Sequence, residues 1–231
     1  MLSVVPPDPT SPLETSVMRF MSTRLEITHL ERAICVIAGP WGIGKTTAVG
    51  SFARSHSNVC VIIKVEQGAM SRGASPVFVL QQTIQALRPF FGRSPGGKLT
   101  SAYWPLRQML HKHLHEWVIQ QSETAGHPVD PRLTLIFDEA QYLSRDAIEM
   151  MRFWNDTDRT VTPFPVGLVF VGNSEFALEE RANGQSVLSG AVRSRALFIE
   201  SLDYGDVPDE DVSVRTELKK VLKPLWRGPM K

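Results

Sequence analysis

Ala33-Ile34-Cys35-Val36-Ile37-Ala38, followed at once by Gly39-Pro40-Trp41-Gly42-Ile43-Gly44-Lys45-Thr46, decides how this chain folds. The six apolar residues have the character of a buried strand, and the eight that follow have the Gly-x-x-x-x-Gly-Lys-Thr spacing of a loop that wraps phosphate. A strand that feeds such a loop and then a helix aims several backbone N–H groups and the positive end of a helix dipole at one point. The stretch therefore predicts an ATP or GTP site formed by Gly39, Pro40, Trp41, Gly42, Ile43, Gly44, Lys45, Thr46 and Thr47. Lys45 is expected to reach the β- and γ-phosphates, and Thr46 to offer its hydroxyl to Mg2+.

Working outward, Glu14 to Leu30 carry apolar residues at roughly helical spacing and predict one or two helices beside the core. Val59 to Val65 is a β-branched run expected to be a strand covered on both faces. Ser75-Pro76 reads as an N-cap with proline at the first helical position, followed by the apolar stripe Val77, Leu80, Ile84 and Leu87. A further helix is expected from Pro105, with Leu106, Met109, Leu110, His113, Leu114 and Trp117 facing inward. Leu133 to Phe137, Val166 to Val171 and the short Leu197 to Ile199 complete five strands, with a helix near Ser144. Strands alternating with helices imply an α/β fold, a parallel five-stranded sheet between helices.

Asp138-Glu139 closes the third strand. A magnesium-dependent phosphohydrolase needs one carboxylate for the metal's ligand shell and another to orient the attacking water, so Asp138 takes the first role and Glu139 the second. Asn173, at the end of the fourth strand, is placed to touch the γ-phosphate or the water. Arg193 and Arg195, just before the last strand, are candidates for a cation completing a neighbour's site, with Arg195 preferred. Solvated surface arginines and a turn asparagine are the plainer readings.

A net charge of +1 gives no global attraction to nucleic acid, so any such contact must be a local patch. No apolar run approaches the ~20 residues that cross a bilayer, and no leader-like segment opens the chain, so the reading is cytoplasmic with no membrane partner. Cys35 and Cys60 fall in predicted strands without CxxC spacing and are expected to pack in the core. His111, His113 and His115 lack a third ligand of metal-like spacing on the face that His111 and His115 share.

The set Gly39 to Thr46, Asp138-Glu139-Ala140-Gln141-Tyr142-Leu143, Val171-Gly172-Asn173 and Ser194-Arg195 resembles the AAA+ P-loop ATPases. Within them it resembles the branch that includes the phage Mu B-type, TniB-type and TnsC-type regulators of DNA transposition and the ExeA-type secretion ATPases. Arg152, Asn155 and Asp156 in Met151 to Asp156 favour the transposition regulators over helicase loaders. The resemblance implies Mg2+-dependent ATP hydrolysis and assembly of a homo-oligomer, ring or helical filament, on double-stranded DNA. It also implies recruitment of a transposase, with another target-selector protein as a further possible partner; the alternatives are an ExeA-type or helicase-loader-like ATPase. DNA contacts in such proteins come from loops beyond the second strand, which here carry Arg72, Arg93, Lys98 and Thr100; solvated loop cations are the plainer alternative. The expected layout is a proline-rich arm at 1–13, an ATPase core at 14–204 and a short basic tail at 205–231, with the family's C-terminal lid very short or missing.

Overall fold

The computed structural model describes residues 15–66, 73–92, 97–156, 164–174, 176 and 187–203. In chain order the elements are α1 (Ser16–Glu31), β1 (Ile34–Ala38), α2 (Lys45–Ser55), β2 (Cys60–Lys64), α3 (Pro76–Phe90), α4 (Tyr103–Ala125) and β3 (Thr134–Asp138). They continue with α5 (Arg145–Arg152), β4 (Gly167–Gly172), α6 (Gly190–Arg195) and β5 (Ala196–Ser201), and short 3-10 turns occupy Ala140–Tyr142 and Phe153–Asn155. All five strands are parallel, in the order β2-β3-β4-β1-β5.

Alternation along the strands divides the core in two. Ile34, Val36 and Ala38 of β1, Leu135 and Phe137 of β3, and Leu168 and Phe170 of β4 face α3, α4 and α5. Cys35, Ile37, Ile136, Val169 and Val171 face α1 and α2, where Met21, Leu25, Val49 and Phe52 cover them. The three inner strands are buried at every position, as a sheet sandwiched by helices requires.

β2 departs from expectation. It lies at a sheet edge, so Ile63 and Val65 are buried under α3 while Val61 and Ile62 are only half-buried and Lys64 is exposed. β5, at the other edge, runs to six residues because neighbours hold it as well as propensity does. The Arg24 guanidinium lies between the rings of Phe20 and Phe198 and pairs with Glu200 at 2.9 Å, tying the strand to α1. The inward face of α3 is Val79, Leu80, Thr83, Ile84 and Leu87; Val77 sits half-buried at its rim. In α4 the expected face is buried except for the half-buried Met109, and the helix begins two residues earlier, at Tyr103, with Pro105 in the first turn where no N–H is needed. Where one or two helices were expected from Glu14 to Leu30, the described residues form the single helix α1.

Hydroxyl caps set four helix starts: Thr15, Ser75, Ser144 and Ser189 accept from the N–H groups of Met18, Phe78, Ala147 and Val192. Each is worth about 1 kcal/mol. Cys35 and Cys60 are buried free thiols, and burial pushes both up to about 12, so they pack as small apolar groups.

Asn155 joins the far ends of two elements: its side-chain amide donates to the Arg32 carbonyl after α1 and to the Val166 carbonyl before β4. Asp156 beside it accepts from Arg195. The Met151 to Asp156 stretch is thus a clamp at the N-terminal ends of the strands, with Trp154 buried beneath it.

His29 is buried at the end of α1, with Nδ1 2.9 Å from the Thr134 hydroxyl oxygen. Burial first, then His56, hold its pKa below 6.5, with Arg132 and Arg32 adding to the depression and Glu26 opposing it. A depressed histidine costs nothing above its unfolded value. As pH falls through 6.5 the unfolded chain takes a proton that the folded one refuses, so stability declines. The melting temperature is expected to fall between pH 7.5 and 5.5 and to fall less in His29→Gln; parallel melting curves for the two proteins across that range would contradict this assignment.

Candidate nucleotide-binding and hydrolysis site

The strand order builds the site. β4 lies between β1 and β3, and the register pairs Ala38 with Gly172 and Val171 with Asp138, so three strands end at one level. The residues that leave those ends converge on one cleft, lined by Trp41, Gly42, Gly44, Lys45, Thr46, Thr47, Asp138, Glu139, Val171, Gly172 and Asn173. Nine of these are residues that the sequence singled out.

The remaining loop residues have other work. Gly39 and Pro40 give their carbonyl oxygens to the Lys45 ammonium at 2.7 and 2.8 Å. Ile43 turns its side chain into the core between α1 and α2, anchoring the loop while leaving its backbone at the surface. Gly42 (φ +76°) and Gly44 (φ +108°) occupy the left-handed region, which is what lets the loop turn its N–H groups inward. Gly44 is also the N-cap of α2, so the helix's positive end opens into the cleft.

Asp138 is buried at the end of β3, where its carboxylate accepts from the Thr46 hydroxyl at 3.1 Å and from the Glu139 N–H at 3.1 Å. Burial pushes its pKa above the ordinary carboxylate value, against the opposing pull of those two hydrogen bonds and of Lys45. Lys45 is shifted the other way, downward, also by burial, with Glu139 and Asp138 opposing. A carboxylate and a hydroxyl side by side are hard oxygen donors of the kind that Mg2+ takes alongside phosphate oxygens. Asp138 and Thr46 therefore fit a magnesium site; the bound ion would neutralise phosphate charge. Lys45 and the loop N–H groups fit the phosphates themselves.

Glu139 sits at φ +61°, ψ +39°, one of two described non-glycine residues at positive φ. A left-handed glutamate costs roughly 1–2 kcal/mol and turns the side chain off the strand direction into the cleft mouth. Its carboxylate accepts from Gln141 Nε2, and Gln141 Oε1 accepts from the Asn173 N–H at 3.2 Å. Gln141 entered the sequence reading only as a letter of a motif; its double contact depends on the 3-10 turn at Ala140–Tyr142, which spacing alone does not reveal.

Arg193 and Arg195 are not in this cleft. They lie on α6, which leads into the N-terminal end of β5, whereas the cleft is at the C-terminal ends. Arg195 pairs with Asp156 at 2.9 Å and its side chain is 45% exposed. Arg193 Nε reaches the Leu188 carbonyl at 3.4 Å.

Of the residues expected to contact DNA, Arg72 and Arg93 lie outside the described residues, as do the arm and the tail. Lys98 and Thr100 are exposed, and the Thr100 carbonyl accepts from Gln81 on α3. A stronger signal than those loops lies in the sequence around them. From Gln67 to His115 there is no Asp or Glu, while Arg72, Arg88, Arg93, Lys98, Arg107 and Lys112 fall within the tract. The tract includes α3 and the first half of α4, where Trp104 is 64% exposed with the Arg107 guanidinium 5.4 Å from its ring centre.

Because burial disfavours the ionised form of Asp138, neutralising it should help the empty protein. Its folded pKa is raised, so the penalty is absent below 3.8 and complete above the folded value. Asp138→Asn, which keeps partners for Thr46 and the Glu139 N–H, is expected to melt higher than wild type at pH 7.5 without ligands, and to lose the extra stabilisation that Mg2+ adds to ATP. A lower melting point, or an undiminished Mg2+ effect, would contradict this.

Among the described residues no helix is long and apolar enough to cross a membrane. Comparison with curated protein sequences gives no match. Solved structures that share the fold include Cdc6p from Pyrobaculum aerophilum, with a TM-score of 0.52 and 17% identity over 83% of this chain and 47% of that one, and the Walker-type ATPase of Pyrococcus abyssi, with a TM-score of 0.51 and 19% identity over 89% and 58%. This chain spans about half the length of each. Residues 28–178, which run from the end of α1 past Asn173, match the model of the AAA domain. With the phosphate loop, the Asp138-Glu139 pair and Asn173 gathered at one end of a parallel sheet, the chain belongs to the AAA domain family.

Proposed function

We propose that this protein is an ATPase whose triphosphate sits between two copies of the chain, and that the ATP-bound assembly forms on double-stranded DNA to direct a transposase. The observation that carries the reading is the separation of charge. One cleft gathers Lys45, Thr46, Asp138, Glu139 and Asn173, while Arg195 stands at the opposite end of the same sheet. A cation so placed can serve a γ-phosphate only in a neighbouring subunit, and head-to-tail repetition of such a contact makes a ring if it closes and a helix if it does not.

In this mechanism the loop N–H groups and Lys45 hold the phosphates. Glu139 orients a water for attack on the γ-phosphorus, and Asn173 hydrogen-bonds the γ-phosphate or that water. Arg195 of the adjacent subunit leaves Asp156 to neutralise charge as the bond to the leaving oxygen breaks. After hydrolysis the γ-phosphate no longer links the subunits, and the assembly comes apart.

The acid-free tract supports the DNA part of the reading. Six Lys and Arg without a carboxylate among them, in a chain of net charge +1, are a local cationic tract of a kind suited to phosphate backbone. Of its cations, Lys98 and Lys112 are exposed and Arg88 and Arg107 half-buried. Recruitment of a transposase rests on the motif resemblance around Asp138-Glu139-Ala140-Gln141 and Met151 to Asp156.

Arg195→Ala is expected to lower ATP turnover about 10³-fold or more while ATP binding holds. Mixing it with Glu139→Gln should restore activity, because each variant supplies what the other lacks at a shared junction. Absence of recovery, with both variants folded and binding ATP, would contradict a site shared between subunits. On duplex DNA, retention should be strong with ATP and weak with ADP, tolerant of sequence and steeply weakened by salt; equal retention with either nucleotide would sink the DNA part.

A further inference from the structure

Gln141 is half-buried between two residues assigned to the hydrolytic step, yet it lies outside the cleft lining. Its amide is oriented by chemistry. The backbone N–H of Asn173 can only donate, so Oε1 must face it, and Nε2 is left to donate to Glu139 Oε2. One planar group thus spans from the end of β4 to the carboxylate after β3. Glu139 needs such a tether, since its left-handed backbone aims the side chain away from the strand that would otherwise steady it.

We propose that Gln141 is a positioning residue that ties the Glu139 carboxylate to the backbone of Asn173, so that the group meeting the γ-phosphate and the group orienting the water move as one unit. This rests on the reading of the cleft as a hydrolytic site. When Asn173 shifts to meet a terminal phosphate, the amide carries Glu139 with it; when the phosphate is gone, both relax. Glutamine suits the task because it offers a donor and an acceptor on one rigid plane. Glutamate at this position would present no donor to Glu139 and would repel it, asparagine falls one methylene short, and methionine keeps the length with neither hydrogen bond.

Two measurements test this. In ATP hydrolysis, Gln141→Met and Gln141→Glu should each lower kcat about 10- to 100-fold, as expected for a misplaced catalytic group, with KM and ATP affinity within about twofold of wild type. Adding Gln141→Met to Glu139→Gln should slow that variant no further. Unchanged kcat in both variants, or a further loss in the double variant, overturns the proposal. The second measurement needs no turnover: in 15N-labelled protein without nucleotide, Glu139→Ala should move the Asn173 backbone amide resonance, and should leave it in place when Gln141 is already Met. An Asn173 resonance that ignores Glu139→Ala, or shifts equally in both backgrounds, overturns the tether. If wild type hydrolyses no ATP with duplex DNA present, the ATPase reading fails, and the resonance measurement alone decides whether the tether exists.

Discussion

Insertion of β4 between β1 and β3 is the constraint on which this molecule depends. Sequence order would set the phosphate loop and the acidic pair far apart, but parallel pairing in register brings the ends of all three strands level. The loop then faces Asp138 and Glu139 across Asn173. Burial of all three strands on both faces makes a slip of register costly, since a shift by one residue would exchange the two halves of the core. The precision of the cleft is thus inherited from the hydrophobic packing of Ile34 to Ala38, Thr134 to Asp138 and Gly167 to Gly172.

The same packing leaves the site electrostatically unsatisfied. Lys45 and Asp138 are each shifted toward neutrality by burial, and Lys45 spends its hydrogen bonds on the carbonyls of Gly39 and Pro40. A polyphosphate offers Lys45 better acceptors, and a divalent cation offers Asp138 a counter-charge. Burial that destabilises the empty protein therefore becomes differential affinity for the bound form. Glu139 adds backbone strain of the kind that gathers at functional sites. At the far end of the sheet, Asp156 occupies Arg195 and Asn155 fixes the backbone before β4, so the Arg195 guanidinium is held beside the N-terminal ends of the strands.

Much of this was legible in the residues. The phosphate loop, the acidic pair and the five strands announce themselves because each is local: an apolar run, a glycine spacing, a polar stop. Ser75 and Ser144 likewise mark helix starts through their own side chains. What was hidden depends on tertiary placement. Val59 to Val65 is apolar enough for an inner strand, yet it lies at the edge, because strand order is set by connections rather than by composition. Leu197 to Ile199 suggested a stub where a six-residue strand forms, since Glu200 is held by Arg24, far away in sequence on α1 and itself packed against the rings of Phe20 and Phe198. The bridging amide of Gln141 requires a turn geometry that no spacing encodes. The acid-free tract is the exception: it was visible in the sequence, but a near-zero net charge masks it, and only its place on α3 and α4 gives it a surface.

In the proposed assembly a triphosphate joins two copies of the chain. Electron microscopy of the protein on duplex DNA with a slowly hydrolysed ATP analogue tests it most directly. The account predicts density for the analogue in the cleft of Lys45 and Asp138, with Arg195 of the adjacent subunit released from Asp156 and reaching the terminal phosphate. Nucleotide bound to isolated protomers, or Arg195 still on Asp156 in an assembled array, would contradict it.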